Sequence, residues 1–244
     1  MITQRFDIWP FHLDFSGGYP LPQLLIRLVH TADLDASQNG FGVEKLQPQG
    51  LSWILNRIVV QMSPDQNIAS TPLHIKSGVV SNSALSSLRG YQIMQHENTL
   101  AWALSKWSVL NLSTRKPAPI PTGIAQHMEP ANWDNAPWPT LGGVVVSAQL
   151  RQQMQLVYQH QVRYSDLDIN RHVNSAIWLA KGIDALPLER LEERSVSTLD
   201  IHFVNEGRPG DLLDIYHHQE PNANYISILR NNICCCNIHI TWQN

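Results

Sequence analysis

The sequence is short of charged residues and of long apolar runs. Asp, Glu, Lys and Arg make up 15% of the 244 residues, and the formal net charge is −3. Nucleic-acid-binding proteins normally carry a basic surface, so this composition argues against nucleic acid as a partner. No apolar run approaches the roughly 18 residues that suggest a membrane-spanning helix. The N-terminal residues have neither the apolar core of a signal peptide nor the Arg- and Ser-rich character of a transit peptide, which predicts a cytosolic protein.

Cysteine is also scarce, being confined to the contiguous trio Cys234, Cys235 and Cys236. An odd, contiguous trio is not a disulfide framework. In an extended strand Cys234 and Cys236 would share a face with their Cα atoms about 7 Å apart, too far for an easy bridge. They alternate in phase with Ile238 and Ile240, so we interpret them as buried small residues on a final strand.

Polar side chains recur at every second position within the stretch 162–178, namely Asp166, Asp168, Asn170 and His172. An alternating pattern before them predicts a strand over 156–164, and a helical pattern after them predicts a helix over 173–185. Several functional groups would therefore lie near one helix N-terminus, which offers free backbone N–H groups and a partial positive charge. Helix capping alone would also explain Asp and Asn at these positions.

The residues D-L-D-I-N-R-H-V-N, 166–174, resemble the signature of the acyl-acyl-carrier-protein thioesterases, a family with two fused hotdog domains. The resemblance assigns Asp168, Asn170 and His172 to the catalytic trio of the family. The family usually has a second Asn after H-V-N, where this chain has Ser175. The shorter copy of D-L-D at 33–35 lacks an accompanying His, and we interpret it as a solvated helix face.

Other segments extend the resemblance over most of the chain. Residues 40–57 resemble the helix-to-strand stretch of the first domain of the family, and residues 107–121 resemble its last strand and exit. The pattern of the first half predicts a strand within 5–15, a helix over 20–38 and strands at 51–62, 73–80, 88–94 and 100–112. The second half repeats this plan, with strands at 198–206, 211–219, 224–230 and 233–242.

The fold class implied is α+β, with two tandem hotdog domains, each a central helix wrapped by an antiparallel β-sheet. We expect an N-terminal domain over 1–121, a Pro-rich linker over 122–149 and a C-terminal domain over 150–244. Trp133 and Trp138 should pack, although they lie in the linker.

A second carboxylate lies further along the chain. The segment F-V-N-E-G-R-P-G-D, 203–211, resembles the family strand that ends in a catalytic Glu, and the match falls on Glu206. Plant members have Cys directly after this Glu, where this chain has Gly207, so the nucleophile of a thiol mechanism is missing. The resemblance therefore implies carboxylate chemistry, in which Glu206 or His172 activates water. Asp168 would act as the nucleophile or polarise the water.

The thioester carbonyl also needs hydrogen-bond donors as negative charge develops on its oxygen. The backbone N–H groups at the predicted helix start, around Val173 and Asn174, could supply them.

Glu206 has an alternative interpretation, as a solvated carboxylate in a loop.

The resemblance implies hydrolysis of acyl-acyl-carrier-protein thioesters to free fatty acid and holo carrier protein, which terminates fatty acid synthesis. Two alternatives remain open: an acyl-CoA thioesterase of the hotdog fold, and a non-catalytic protein that binds acyl thioesters. The implied partner is acyl carrier protein with its acyl-phosphopantetheine arm, and no cofactor or metal is expected. A homodimer is left open. The resemblance favours a bacterial, cytoplasmic protein, because plant members need a plastid address.

Two surfaces follow from the implied substrate. The apolar face of helix 20–38 and strand 51–62 are candidates for the acyl pocket, and plain core packing would explain them equally well. Exposed cations near the motif are candidates for carrier docking, with a solvated face as the alternative: Arg163, Arg171, Lys181 and Arg208.

Overall fold

The protein is described by a computed structural model that covers residues 1–64, 68–193 and 195–243. Contacts divide the chain into two units. Unit 1 contains Met1–Pro10, Arg27–Ser63 and Ile68–Leu141, and unit 2 contains Phe11–Ile26 and the chain from Gly142 onward. Among the described residues, no helix is both long and apolar enough to cross a bilayer. The domain limits expected from the sequence stay a prediction.

Unit 1 is built on one antiparallel sheet. Its strands are β1 (Ile2–Phe6), β2 (Leu51–Met62), β3 (Leu73–Asn82), β4 (Ser87–Gln95), β5 (Asn98–Asn111) and β6 (Pro117–Ala118). They pair in the order β1-β3-β4-β5-β2, and β6 adds to β5. The β2 bounds are those that the sequence predicts, because its alternating and β-branched residues lie between clear turn signals.

The predicted first strand over 5–15 is wrong in its bounds. The strand ends at Phe6, and Pro10–His12 forms a 3-10 turn instead. Pro10 cannot donate a ladder hydrogen bond. Phe11, within this turn, is 80% exposed.

The long helix α1 (Leu21–Gln38) follows, with α2 (Val43–Leu46) after it. The apolar face of this helix is buried, since Leu24, Leu25 and Leu28 are at most 2% exposed. The interpretation of residues 33–35 as a solvated face is wrong for Asp35, which is 1% exposed. Its carboxylate lies 2.8 Å from Nη1 of Arg89 in β4. A buried carboxylate needs such a partner because an unpaired charge in the interior is costly.

The segment between β6 and the strands of unit 2 contains the short helices α3 (Thr122–Ala125) and α4 (Ala148–Arg151). The prediction that its tryptophans pack is confirmed. The Trp138 ring meets Trp133 and Trp102 edge to face, with centroid separations of 4.9 and 5.4 Å. Gly90 in β4 lies directly against the Trp138 ring, where any Cβ would clash.

Unit 2 contains five antiparallel strands and two further helices. The strands are β7 (Gln155–Gln161), β8 (Val196–Phe203), β9 (Leu212–Glu220), β10 (Ala223–Arg230) and β11 (Ile233–Trp242), and the helices are α5 (Ser175–Ile183) and α6 (Leu188–Glu193). The strand order is β8-β11-β10-β9-β7. Gly182 brings α5 close to this sheet, because a Cβ there would collide with Ile238. One helix on one antiparallel sheet is the arrangement that the sequence predicts for this half.

Strand β11 carries one extra residue. Cys236 pairs with Ile228 and Cys234 pairs with Leu229, so Cys235 has no opposite residue and forms a β-bulge. A bulge bends its strand locally and changes where the neighbouring backbone groups point. Cys235 and Cys236 are fully buried, as predicted for a core strand, and Cys234 is partly exposed.

Candidate functional site

The motif 166–174 forms a tight β-hairpin loop just before helix α5. Leu167 and Val173 pair as an antiparallel bridge. Between them, the Asp168 N–H donates to the His172 carbonyl at 2.8 Å, and the Arg171 N–H donates to the Asp168 carbonyl at 3.0 Å. Arg171 has φ 62°, a left-handed conformation that costs energy for residues other than Gly. The alternating polar pattern therefore belongs to a hairpin loop, not to a simple strand-to-helix turn.

The Asp168 carboxylate closes this loop. Its Oδ1 atom accepts hydrogen bonds from the N–H of Asn170 at 2.8 Å and of His172 at 3.0 Å. The side chain of Asn170 is exposed and has no hydrogen-bond partner among the described residues. The loop thus fixes the backbone of the predicted trio and leaves the Asn170 amide accessible from solvent.

His172 and Glu206 are brought together from different parts of unit 2. The Nε2 atom of His172 lies 3.4 Å from Oε2 of Glu206, and their side chains are 22% and 32% exposed. Arg208 adds a positive charge, with Nη2 at 4.0 Å from the same Glu206 oxygen. A separation of 3.4 Å is long for a hydrogen bond, and such bonds often shorten once substrate is bound. The structure thus places Glu206 beside His172, and the catalytic roles of both residues stay a prediction.

Gly207 explains how Glu206 reaches this place. The Gly207 carbonyl accepts a hydrogen bond from the Val173 N–H at 2.9 Å, which joins the two segments of the site directly. A Cβ built at position 207 would lie 2.7 Å from Cγ2 of Val173 and 2.9 Å from the Trp178 ring. No side chain fits without a shift in those neighbours. The space that a side chain at position 207 would need, where the plant pattern has Cys, is therefore occupied by the indole ring of Trp178.

The prediction for the oxyanion donors needs correction. The Val173 N–H donates to Gly207, and the Asn174 N–H donates to the Asp166 carbonyl at 2.9 Å, so neither is free in this conformation. Asn174 instead caps α5, since its side chain accepts a hydrogen bond from Ala176 N–H at 2.9 Å. Ser175, the first residue of α5, has no hydrogen-bond partner for its N–H among the described residues. The helix N-terminus thus offers the Ser175 N–H where the sequence suggested Val173 and Asn174.

Asp166 has a structural role, as the capping interpretation predicts. It is 5% exposed, and its Oδ2 atom accepts hydrogen bonds from the Arg163 N–H and from Nε2 of His160, both at 2.7 Å. Burial opposes ionisation of the carboxyl group. The two hydrogen bonds and the positive charges of His160 and Lys181 outweigh this effect and lower the pKa of Asp166. His160 was not singled out from the sequence, because its partner is fixed only by the turn at 164–166.

The cysteines are poorly suited to nucleophilic chemistry. Burial raises the pKa of Cys235 to about 11 and the pKa of Cys236 well above its ordinary value. A thiolate is the reactive form of cysteine, so both residues stay as inert thiols near neutral pH. Cys234 donates from Sγ to Oδ1 of Asn237 at 3.3 Å.

The four docking candidates differ in their surroundings. Arg163 and Arg171 are exposed beside the motif, and Arg208 lies next to Glu206. Lys181 is paired with Asp184 on the same helix, with Nζ 3.0 Å from Oδ2. Their part in carrier docking stays a prediction.

Two family profiles cover most of the chain. The profile of the acyl-ACP thioesterase N-terminal domain matches residues 1–128, and that of the acyl-ACP thioesterase C-terminal domain matches residues 149–244. The second range contains the hairpin loop and Glu206.

Curated relatives include plant enzymes of this family. Acyl-[acyl-carrier-protein] hydrolase FATB2, chloroplastic, from Cuphea viscosissima is 26% identical over 76% of this chain and 45% of its own length. Palmitoyl-acyl carrier protein thioesterase, chloroplastic, from Gossypium hirsutum is 24% identical over 84% of this chain and 52% of its own length. The chain spans about half the length of the curated relatives it matches.

Solved structures show the same fold. An acyl-ACP thioesterase from Bacteroides thetaiotaomicron superposes with a TM-score of 0.87 at 24% identity, covering 99% of this chain and 97% of that one. The 12:0-ACP thioesterase from Umbellularia californica superposes with a TM-score of 0.82 at 14% identity, covering 99% and 96%. The predicted α+β double hotdog fold is confirmed. By its two profile matches, the chain belongs to the acyl-ACP thioesterase family.

Proposed function

We propose that this protein hydrolyses acyl-acyl-carrier-protein thioesters, releasing free fatty acid and holo carrier protein and so ending fatty acid synthesis. The observation that carries the proposal is the His172–Glu206 pair at 3.4 Å, within the segment that matches the C-terminal domain of the family. The curated relatives, which are acyl-carrier-protein hydrolases and thioesterases, support the choice of carrier protein over coenzyme A.

The chemistry proposed is addition of water to the thioester carbonyl carbon. The pair formed by Glu206 and His172 takes a proton from the water as its oxygen bonds to that carbon. The Ser175 N–H and the N-terminal partial charge of α5 stabilise the oxyanion. The C–S bond then breaks, and the thiolate of the phosphopantetheine arm recovers the proton from the pair.

Asp168 takes a different part in this scheme. One of its oxygens already accepts two backbone hydrogen bonds and holds the loop that carries His172. Its second oxygen has no hydrogen-bond partner among the described residues and can orient the attacking water. Attack by this carboxylate on the thioester, giving a short-lived anhydride, is the alternative left from the sequence.

The candidates for the acyl pocket remain those predicted from the sequence, namely the apolar face of α1 and strand β2. A cavity of about 450 Å³ in unit 1 does not suit a hydrocarbon chain. Its lining includes six polar or charged side chains: Asp35, Asn39, Gln126, His127, Glu129 and Asn132. Burying apolar carbon against these groups would strip water from them without replacement hydrogen bonds. The homodimer and the bacterial, cytoplasmic location also stay predictions.

The test is a hydrolysis assay on the purified protein. Acyl carrier proteins loaded with a series of chain lengths are compared with the matching acyl-CoA esters, and free acid is counted. We expect release from at least one acyl carrier protein at a kcat/KM well above that for the same acyl-CoA. A preference for acyl-CoA would favour the second activity, and stoichiometric binding without release would favour a thioester-binding protein.

A further inference from the structure

The bulge in strand β11 holds the backbone just before Glu206. The Cys235 carbonyl accepts hydrogen bonds from two consecutive N–H groups, those of Val204 at 2.8 Å and Asn205 at 3.1 Å. In a regular ladder, one carbonyl faces one N–H of the neighbouring strand. The extra residue in β11 turns this carbonyl towards the end of β8 and stops the regular pairing there.

The side chain of Asn205 adds a third hydrogen bond to the same bulge. Its Nδ2 atom donates to the Cys234 carbonyl at 2.7 Å. Asn205 is exposed, and it belongs to an irregular segment between β8 and β9. Asn205 is therefore held through both its backbone and its side chain, although it has little apolar packing.

The backbone just after Glu206 is held as well. The Gly207 carbonyl accepts from the Val173 N–H at 2.9 Å, and the Arg208 N–H donates to Oδ2 of Asp211 at 2.8 Å. Glu206 is thus one residue between two fixed neighbours. The anchor at Val173 directly follows His172, so the same contacts set the spacing between the Glu206 carboxylate and the His172 ring.

We propose that Asn205 is a positioning residue for Glu206, acting through its hydrogen bond to the β-bulge at Cys234–Cys235. The inference rests on the proposed function, in which Glu206 and His172 handle the proton. A misplacement of about 1 Å in a catalytic group can cost up to a hundredfold in rate. Asn205 touches neither substrate nor the reacting atoms, so its effect has to pass through Glu206.

The first measurement uses Asn205→Leu, which keeps a branched side chain of similar size and removes the donor. We expect kcat for acyl-acyl-carrier protein to fall about tenfold while KM changes less than twofold. Asn205→Ala serves as a second variant if the leucine disturbs folding, with the same expected result. The matched control is Asn82→Leu, which removes an exposed asparagine that donates to the Met128 carbonyl in unit 1. The control should lower the melting temperature without lowering kcat.

The second measurement is a double-mutant cycle with Glu206→Gln under single-turnover conditions. If Asn205 acts through Glu206, adding Asn205→Leu to Glu206→Gln should slow the residual reaction less than twofold. An equal tenfold loss in both backgrounds would show a general structural role and overturn the inference. If Asn205→Leu kept the wild-type kcat while Glu206→Gln was inactive, the inference about Asn205 would be overturned and the proposed function would stand. A fully active Glu206→Gln would instead contradict the proposed role of Glu206.

Discussion

The Nε2 atom of His172 lies 3.4 Å from Oε2 of Glu206, although one side chain comes from a hairpin loop and the other from the irregular segment after β8. We expect Glu206→Gln to lower turnover at least a hundredfold, because it replaces a base with a neutral amide of the same shape. Turnover and carrier binding are measured together, and binding should be retained. Glu189→Gln, on the exposed side of α6, is the control carboxylate and should keep full activity. Full activity of Glu206→Gln would remove Glu206 from the mechanism.

Asp168→Asn separates two roles of one carboxylate. The amide oxygen of Asn can still accept the N–H groups of Asn170 and His172, so the hairpin loop should persist. The charge needed to polarise water or attack the thioester is lost, and we expect at least a hundredfold loss of turnover. Asp168→Ala, which removes the loop contacts as well, should also lower the melting temperature. Near-normal turnover in Asp168→Asn would mean that Asp168 acts only by closing the loop.

Asp166→Asn should affect stability far more than turnover. The carboxylate is buried and accepts two hydrogen bonds, and losing such an acceptor costs about 1–3 kcal/mol. Because the pKa of Asp166 is lowered in the folded state, its stabilising effect is present above the unfolded-state pKa of about 3.9 and is lost as pH falls through the folded-state pKa. Denaturant unfolding at neutral and at acid pH should show the gap between wild type and variant closing in acid. An inactive, well-folded Asp166→Asn beside an active Asp168→Asn would shift the catalytic assignment to Asp166.

Gly207→Cys restores the residue found in the plant pattern, but it should not create a thiol enzyme. Its Cβ would meet Val173 and the Trp178 ring at under 3.0 Å, and overpacking of this kind typically costs about 1–3 kcal/mol. We expect a lower melting temperature and lower turnover that alkylating reagents leave unchanged. Gly123→Ala is the control, since a Cβ there meets nothing within 4 Å. Turnover above wild type that iodoacetamide abolishes would contradict this expectation.

Replacing all three cysteines with Ala or Ser should leave most of the turnover per folded molecule. Cys235 and Cys236 are buried thiols with raised pKa values, so both are poor nucleophiles near neutral pH. The variant should lose stability through the cavities left in the core. Loss of turnover in a well-folded triple variant would revive a thiol mechanism.

Sequence reasoning located the elements better than the contacts between them. The bounds of β2 and β11 follow from alternation and turn residues, which are local properties. The buried ion pair of Asp35 was missed, because it depends on Arg89 from a distant strand. The oxyanion assignment to Val173 and Asn174 failed for the same reason, since Gly207 and Asp166 take up those N–H groups only after the hairpin has formed.

The bridge between Leu167 and Val173 joins residues that are close together in the sequence. The His172–Glu206 contact joins segments that are far apart in the sequence, and it requires β8 to pair with β11 first. Short loops close in well under a millisecond, and long-range strand pairing is slower because it must first overcome more chain entropy. During refolding, the loop should therefore exist before the acid–base pair does. Recovery of turnover then reports the pairing of β8 with β11. In stopped-flow refolding assays, turnover should recover later than any spectroscopic signal from the loop itself.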